Sequence, residues 1–154
     1  MPRWTIYHSD ADTGALATPA ARAALARAIT ALYTRVGLPA FYVVVLFHAL
    51  PPTQLYVGGE ANDGVRRRPF VRLAFEHVAR AFESREMKER FLAKVCIDEV
   101  LKPHLLDQGY DYEYTGADTD RDLWRINGVA PPREDTPAFE AWKRENRAVP
   151  LESL

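Results

Sequence analysis

The run Phe41-Tyr42-Val43-Val44-Val45-Leu46-Phe47 constrains the fold more than any other stretch of this chain. It is β-branched and aromatic with no polar alternation, the pattern of a strand covered on both faces, and strands of parallel sheets read this way. Pro51-Pro52 closes it. A parallel strand reaches its partner through a long, usually helical crossover, so a strand and a helix should precede it. Both are present. Arg3 to His8 alternates between faces and reads as a first strand, followed by a loop from Ser9 to Ala17. Thr18 can cap a helix that has Pro19 at its first position. Leu25, Ile29, Leu32 and Val36 draw one apolar stripe through a run of alanines, and Gly37 with Pro39 is a stop signal.

The second half repeats this grammar. Residues 60 to 68 are polar and turn-rich and read as a connection. Leu55-Tyr56-Val57 before Gly58-Gly59 reads as a short extra strand or turn. Phe70 to Val78 is a strand candidate, and Ser84 can cap a helix that runs to about Leu101 and ends at Pro103. Phe91, Val95 and Val100, joined by Leu92, Cys96, Ile97 and Leu101, give that helix a wide apolar face. Tyr110 to Tyr114 alternates and reads as a half-buried strand. From Gly116 the chain is charged and proline-bearing, with a short helix over Ala138 to Arg144. The expected fold is therefore α/β. Two βαβ units (2–62 and 63–116) would share one four-stranded sheet with helices on one face, followed by a tail over 117–154. The bare face of such a sheet needs cover, and association of subunits would supply it.

Composition narrows the partners. The 154 residues make one domain. Twenty basic residues against 21 acidic ones leave a net charge of −1, without the electrostatic footprint of a nucleic-acid binder. A lone cysteine, Cys96, excludes a disulfide framework and reads as an inert core thiol. No stretch approaches the roughly 20 apolar residues of a membrane span, and the N-terminus is not a signal peptide, so a cytoplasmic protein is expected.

Pro2 is the residue whose position says most about chemistry. Methionine before proline is normally removed in the cell, which exposes a secondary amine. A free α-amino group titrates at about 7.7–8.0, and burial or nearby arginines lower that value. An amine tuned toward working pH serves as a general base or acid, or attacks a carbonyl. The strand that starts at once would fix this amine at a sheet end. The bland reading is that many chains begin Met-Pro for no catalytic reason. Arg66-Arg67-Arg68 reads as a solvated loop, and Pro69 begins the second strand as Pro2 begins the first, with its nitrogen locked in a peptide bond. His8, His48 and His104 lack metal-ligand spacing, and there is no glycine-rich phosphate loop. No metal or organic cofactor is expected.

The start Met1-Pro2-Arg3-Trp4-Thr5-Ile6-Tyr7-His8 on a double βαβ layout resembles the tautomerase superfamily, and within it the branch around cis-3-chloroacrylic acid dehalogenase. The matching blocks are Ala28 to Tyr33, Gly37 to Val45, Tyr56 to Gly59 and His77 to Arg80, with Trp124 to Gly128 and Pro131-Pro132 in the tail. The resemblance implies a homotrimer and a catalytic amino-terminal proline, Pro2. It aligns the dehalogenase's carboxylate-holding arginine pair with His77 and Arg80, its helix histidine with Tyr33 and its active-site tyrosine with Tyr114. The dehalogenase's water-activating glutamate aligns near Arg125, where no acid stands. That departure disfavours hydrolytic dehalogenation and leaves proton shuttling intact. Arg125 and Asn127 could fold over the pocket from the tail, and Arg72 could supply a second carboxylate clamp. Each choice has an ordinary alternative: a solvated arginine, a hydrogen-bonded histidine, a packed tyrosine. The expected activity is keto–enol tautomerisation of a small 2-oxo or unsaturated acid, against cis-3-haloacrylate chemistry or a binding role that keeps the fold.

Overall fold

The structure is a computed structural model that describes residues 1–11, 14–64 and 68–150, without the side chains of residues 94–97. Arg66, Arg67, Val95, Cys96 and Ile97 lie outside what is described. The elements run β1 (Pro2–Ser9), α1 (Pro19–Thr34), β2 (Val44–Leu50), β3 (Tyr56–Val57), β4 (Glu60–Ala61), β5 (Phe70–His77) and α2 (Arg85–Arg90). A π-helical stretch over Phe91–Leu101 and the short α3 (Lys102–His104) come next, then β6 (Asp111–Asp118) and α4 (Pro137–Glu145). Caps form where the residue types call for them. Thr18 accepts from the Ala21 N–H and Ser84 from the Met87 N–H.

The four-stranded sheet has the order β2-β1-β5-β6. β1 pairs parallel with β2 and β5 parallel with β6, while the central β1/β5 pair is antiparallel. Each βαβ unit thus contributes one parallel pair, and the two units meet head to tail. Because the central pair is antiparallel, the start of one unit lies beside the end of the other's first strand: Pro2 is opposite His77, which is opposite Asp118.

Alternation along the strands separates the two faces. Trp4, Ile6, Val71, Leu73 and Phe75 are buried under α1 and the π-helical stretch, with Leu25, Ile29, Val100 and Leu101 opposite. Each such side chain contributes about 1.5–3 kcal/mol on burial. Phe75 stacks on Trp4, and its ring occupies the space where a side chain at Gly116 on β6 would begin.

Several details differ from the expectations drawn from sequence. β2 begins at Val44 because Phe41 and Tyr42 turn away to join an aromatic cluster with Trp124, Phe139 and Trp142 of the tail. β2 is an edge strand with Leu46 and His48 exposed, so it is not covered on both faces. Val36 lies beyond the end of α1 and is 53% exposed instead of completing the buried stripe. Pro103 sits in one further helical turn, and β6 extends to Asp118. Arg68 is not loosely solvated: it donates to the Gly109 and Leu106 carbonyls and faces Asp111.

Candidate active site

At the end of the sheet where β1 begins, a cavity of about 440 Å³ opens between the C-terminal end of α1 and the chain after β5. Pro2, Tyr33, His77 and Arg80 all line it. Residues spread from position 2 to position 80 thus meet, Pro2 and His77 through the antiparallel pairing and Tyr33 from α1. The walls are mainly apolar, from Leu32, Leu38, Val78, Phe82 and Phe91. Arg35, Arg90 and Glu99 stand among them, with Arg35 paired to Glu99 at 2.5 Å.

The polar floor is a chain of hydrogen bonds. The Trp4 indole N–H donates to the Tyr33 hydroxyl at 2.8 Å, and that hydroxyl lies 2.8 Å from His77 Nε2. On the other side of the imidazole, Nδ1 is 4.0 Å from Asp118 Oδ1. The carboxylate favours the tautomer with its proton on Nδ1, so Nε2 accepts from Tyr33. Four aromatic rings (Tyr33, Phe75, Phe82, Phe91) surround His77 at centroid distances of 4.8–5.5 Å. Burial among them pushes the His77 pKa down to about 4; Asp118 opposes the shift and the amino terminus adds to it. His77 is therefore a neutral imidazole near pH 7. Uncharged, it cannot hold a carboxylate by charge.

The amino terminus lies in the same environment. Pro2 is buried, Met1 is half-buried, and the Met1 carbonyl accepts from the Val78 N–H at 3.0 Å. The Met1 amine is pushed down to about 4, first by burial and then by the charge of Arg121. Arg121 is pinned there by donating to the carbonyls of Ala79, Pro131 and Pro132, and its guanidinium lies 5.5 Å from the Trp124 ring centroid.

Arg80 projects from the segment after β5 and meets a tail carboxylate. Its Nε donates to Glu134 Oε1 at 2.7 Å and its Nη2 to Glu134 Oε2, a two-pronged contact that raises the guanidinium pKa further.

The remaining expected site residues stand elsewhere. Tyr114 is inside β6, not after it, and its hydroxyl donates to the Leu92 carbonyl. Arg72 is on the face of the sheet turned away from the helices, bound to Glu113 and Thr115. Arg125 donates to the Asp122 and Trp124 carbonyls. Asn127 is exposed at φ 52° before Gly128 at φ 80°, so it makes the Asn-Gly turn of the Ile126/Val129 bridge. None of these four lines the cavity.

Trp4, Asp118, Arg121 and Glu134 are the site neighbours that sequence reasoning missed. Trp4 and Asp118 carry a signal in hindsight: Trp4 lies two residues along β1 from Pro2, on the same face, and Asp118 is the register partner of His77. Arg121 and Glu134 carry none, because only the path of the tail brings them here.

Comparison with known proteins places the fold and the family. Residues 1–147 match the family model Tautomerase_3, described as "Putative oxalocrotonate tautomerase enzyme". No curated protein matches. A probable enzyme from the fungus Aspergillus fumigatus is 40% identical, with 98% of each chain covered and a TM-score of 0.85. RhCC from Rhodococcus jostii RHA1 is 36% identical over 97% of this chain and 99% of its own, at a TM-score of 0.83. N1, a member of the cis-3-chloroacrylic acid dehalogenase family, shares the fold at 15% identity and a TM-score of 0.63, with 94% of this chain and 97% of its own covered. A fused double βαβ sheet, an N-terminal Met-Pro on a central strand and a family match over nearly the whole length make this chain a member of the tautomerase superfamily.

Proposed function

We propose that this protein is a tautomerase in which Pro2, freed by removal of Met1, moves a proton between carbon and oxygen of a small 2-oxo acid. The observation that carries the reading is the placement of Pro2: buried, at the floor of an apolar cavity, beside a neutral imidazole and with an arginine on the wall. Pro2 is buried, and burial disfavours the charged form of an amine, so an amine freed at Pro2 is pushed toward the free base. Its lone pair takes a proton from the carbon next to the keto group. The electron pair of that C–H bond forms the C=C bond of the enol, and the carbonyl oxygen takes the negative charge and then a proton. The reverse sequence ketonises an enol.

Arg80 would hold the carboxylate. Tyr33 and His77 would set the shape and polarity of the floor as positioning residues. Tyr114, Arg72, Arg125 and Asn127 stay candidates only for a site completed by a neighbouring subunit, and the bare sheet face with exposed Leu46 supports a homo-oligomer, which we take to be a trimer. Among the described residues no helix is long and apolar enough to cross a membrane, and a cytoplasmic location fits this chemistry. The carboxylates around the cavity already face partners, Glu99 with Arg35, Glu134 with Arg80 and Asp118 with His77, which favours proton transfer over water addition to a cis-3-haloacrylate.

The test is intact mass spectrometry and turnover of enol phenylpyruvate on one untagged sample. Loss of Met1 with turnover that disappears in Pro2→Ala is the expected result. Retained Met1, or full turnover in Pro2→Ala, sinks the mechanism. Processed protein that turns over neither this enol nor a haloacrylate would favour a binding role.

A further inference from the structure

We propose that Glu134 is an internal competitor for the substrate: its carboxylate occupies the seat on Arg80 that a substrate carboxylate must take, so this residue sets the affinity for acids. The inference rests on the reading of Arg80 as the carboxylate holder. Arg80 is on the cavity wall, and the side-on edge of its guanidinium, Nε with Nη2, is one of two that can receive a carboxylate with two parallel bonds; Nη2 belongs to both, so a carboxylate on it blocks either mode. Glu134 already fills that edge with both of its oxygens.

The tail holds this carboxylate in place by a second, independent attachment. Arg121 donates to the carbonyls of Pro131 and Pro132, the latter two residues before Glu134, and to Ala79, immediately before Arg80. Two consecutive prolines stiffen the same segment. Glu134 therefore faces Arg80 at a high effective concentration, and a free acid in solution competes against it. Of the other arginines on the wall, Arg35 is neutralised by Glu99, while no ion pair is formed by Arg90 among the described residues. An acid gains entry by burying apolar surface against Leu32, Val78, Phe82 and Phe91 while it displaces Glu134. The pair is part-exposed, 47% for Arg80 and 28% for Glu134, so the contest is winnable by an ordinary ligand.

The experiment measures two quantities on the full-length protein: KM and kcat with enol phenylpyruvate, and the Kd of phenylacetate, an unreactive acid with an apolar body, by calorimetry. In Glu134→Gln both KM and Kd should fall about three- to fivefold, the range an exposed ion pair commands, with kcat within about twofold. Glu134→Asp, one methylene short of the contact, should move both the same way by less. Asp107→Asn, which breaks the Lys102–Asp107 pair away from the cavity, should move neither. A KM and Kd that stay put or rise in Glu134→Gln overturn the proposal and make Glu134 a fastener of Arg80. Phenylacetate binding that is lost in Arg90→Ala but not tightened in Glu134→Gln also overturns it and assigns the seat to Arg90. So does a Glu134→Gln protein, folded by its melting curve, that binds no phenylacetate. The Kd arm stands without turnover, so failure of the tautomerase reading and failure of this one are separable.

Discussion

The antiparallel β1/β5 pair has two ends, and a proline stands at each: Pro2 begins β1, and Pro69 immediately precedes β5. At the Pro69 end, buried Asn62 donates to the Phe70 carbonyl at 2.9 Å and accepts from the Phe70 N–H at 2.8 Å, so the connector is stitched to the strand. The Pro69 carbonyl accepts from Asp111 and the Leu50 carbonyl from Asp10. Backbone groups there satisfy one another. At the Pro2 end the chain after β5 departs around a cavity, and an arginine, an imidazole and a tyrosine face it. A strand-end proline becomes chemistry only when its nitrogen can be a free amine and space lies in front of it. Pseudo-symmetry of the two units supplies the strand ends; the unlike segments that leave those ends supply the site.

Substituting both prolines tests this contrast most severely. Pro2→Ala should lower kcat/KM on enol phenylpyruvate by about 100-fold or more, near 3 kcal/mol of transition-state stabilisation, because a positioned base is worth that much. Pro69→Ala should leave steady-state turnover within about twofold. Equal losses in the two variants would refute the assignment of the two ends.

A pH series tests the buried imidazole. The His77 pKa falls from 6.5 to about 4 on folding, so the unfolded chain binds a proton more readily than the folded one between these values. The His77 contribution costs nothing above pH 6.5 and destabilises the fold as pH falls toward 4, by about 3 kcal/mol at most. Urea titrations at several pH values should show this decline, and His77→Gln should make it shallower between pH 6.5 and 4.

Asn62→Ala tests the closed end by leaving the Phe70 N–H and carbonyl without their partner. It should cost about 2 kcal/mol in urea unfolding while kcat/KM of the folded enzyme stays within about twofold. The smallest effect is expected where Tyr42 packs against the tail. The Tyr42 hydroxyl is buried without a hydrogen-bond partner among the described residues, and burial pushes its pKa up to about 12. Tyr42→Phe should therefore be neutral or raise stability by up to about 1 kcal/mol, read as an unchanged or higher melting temperature. A loss of more than that would mean the hydroxyl has a stabilising partner after all.

Much of this fold is legible in the chain because its signals are local. The Thr18–Pro19 start, the Leu25, Ile29 and Leu32 stripe and the Ser84 cap depend on residues within a turn or two of each other. The expected strands appear within a few residues of their read positions. Misplaced boundaries share a cause: Phe41 and Tyr42 have strand propensity, but the tail aromatics offer them more burial than an edge strand does. Asn127 shows the converse, a residue tied to a site by a family block whose conformation is explained by a two-residue turn.

Two strand–helix–strand units, a proline at the head of the first strand and the residue types of the site can all be read from the chain alone. Periodicity, capping and turn chemistry act over a few residues, so one sequence suffices to see them. Packing in three dimensions was needed to run the central strands antiparallel, which sets Pro2 beside His77. It was needed too for Tyr33 to reach His77 across 44 residues and Glu134 to reach Arg80 across 54. Such contacts depend on how faces pack and where a tail lies after the core forms, and no local spacing encodes them.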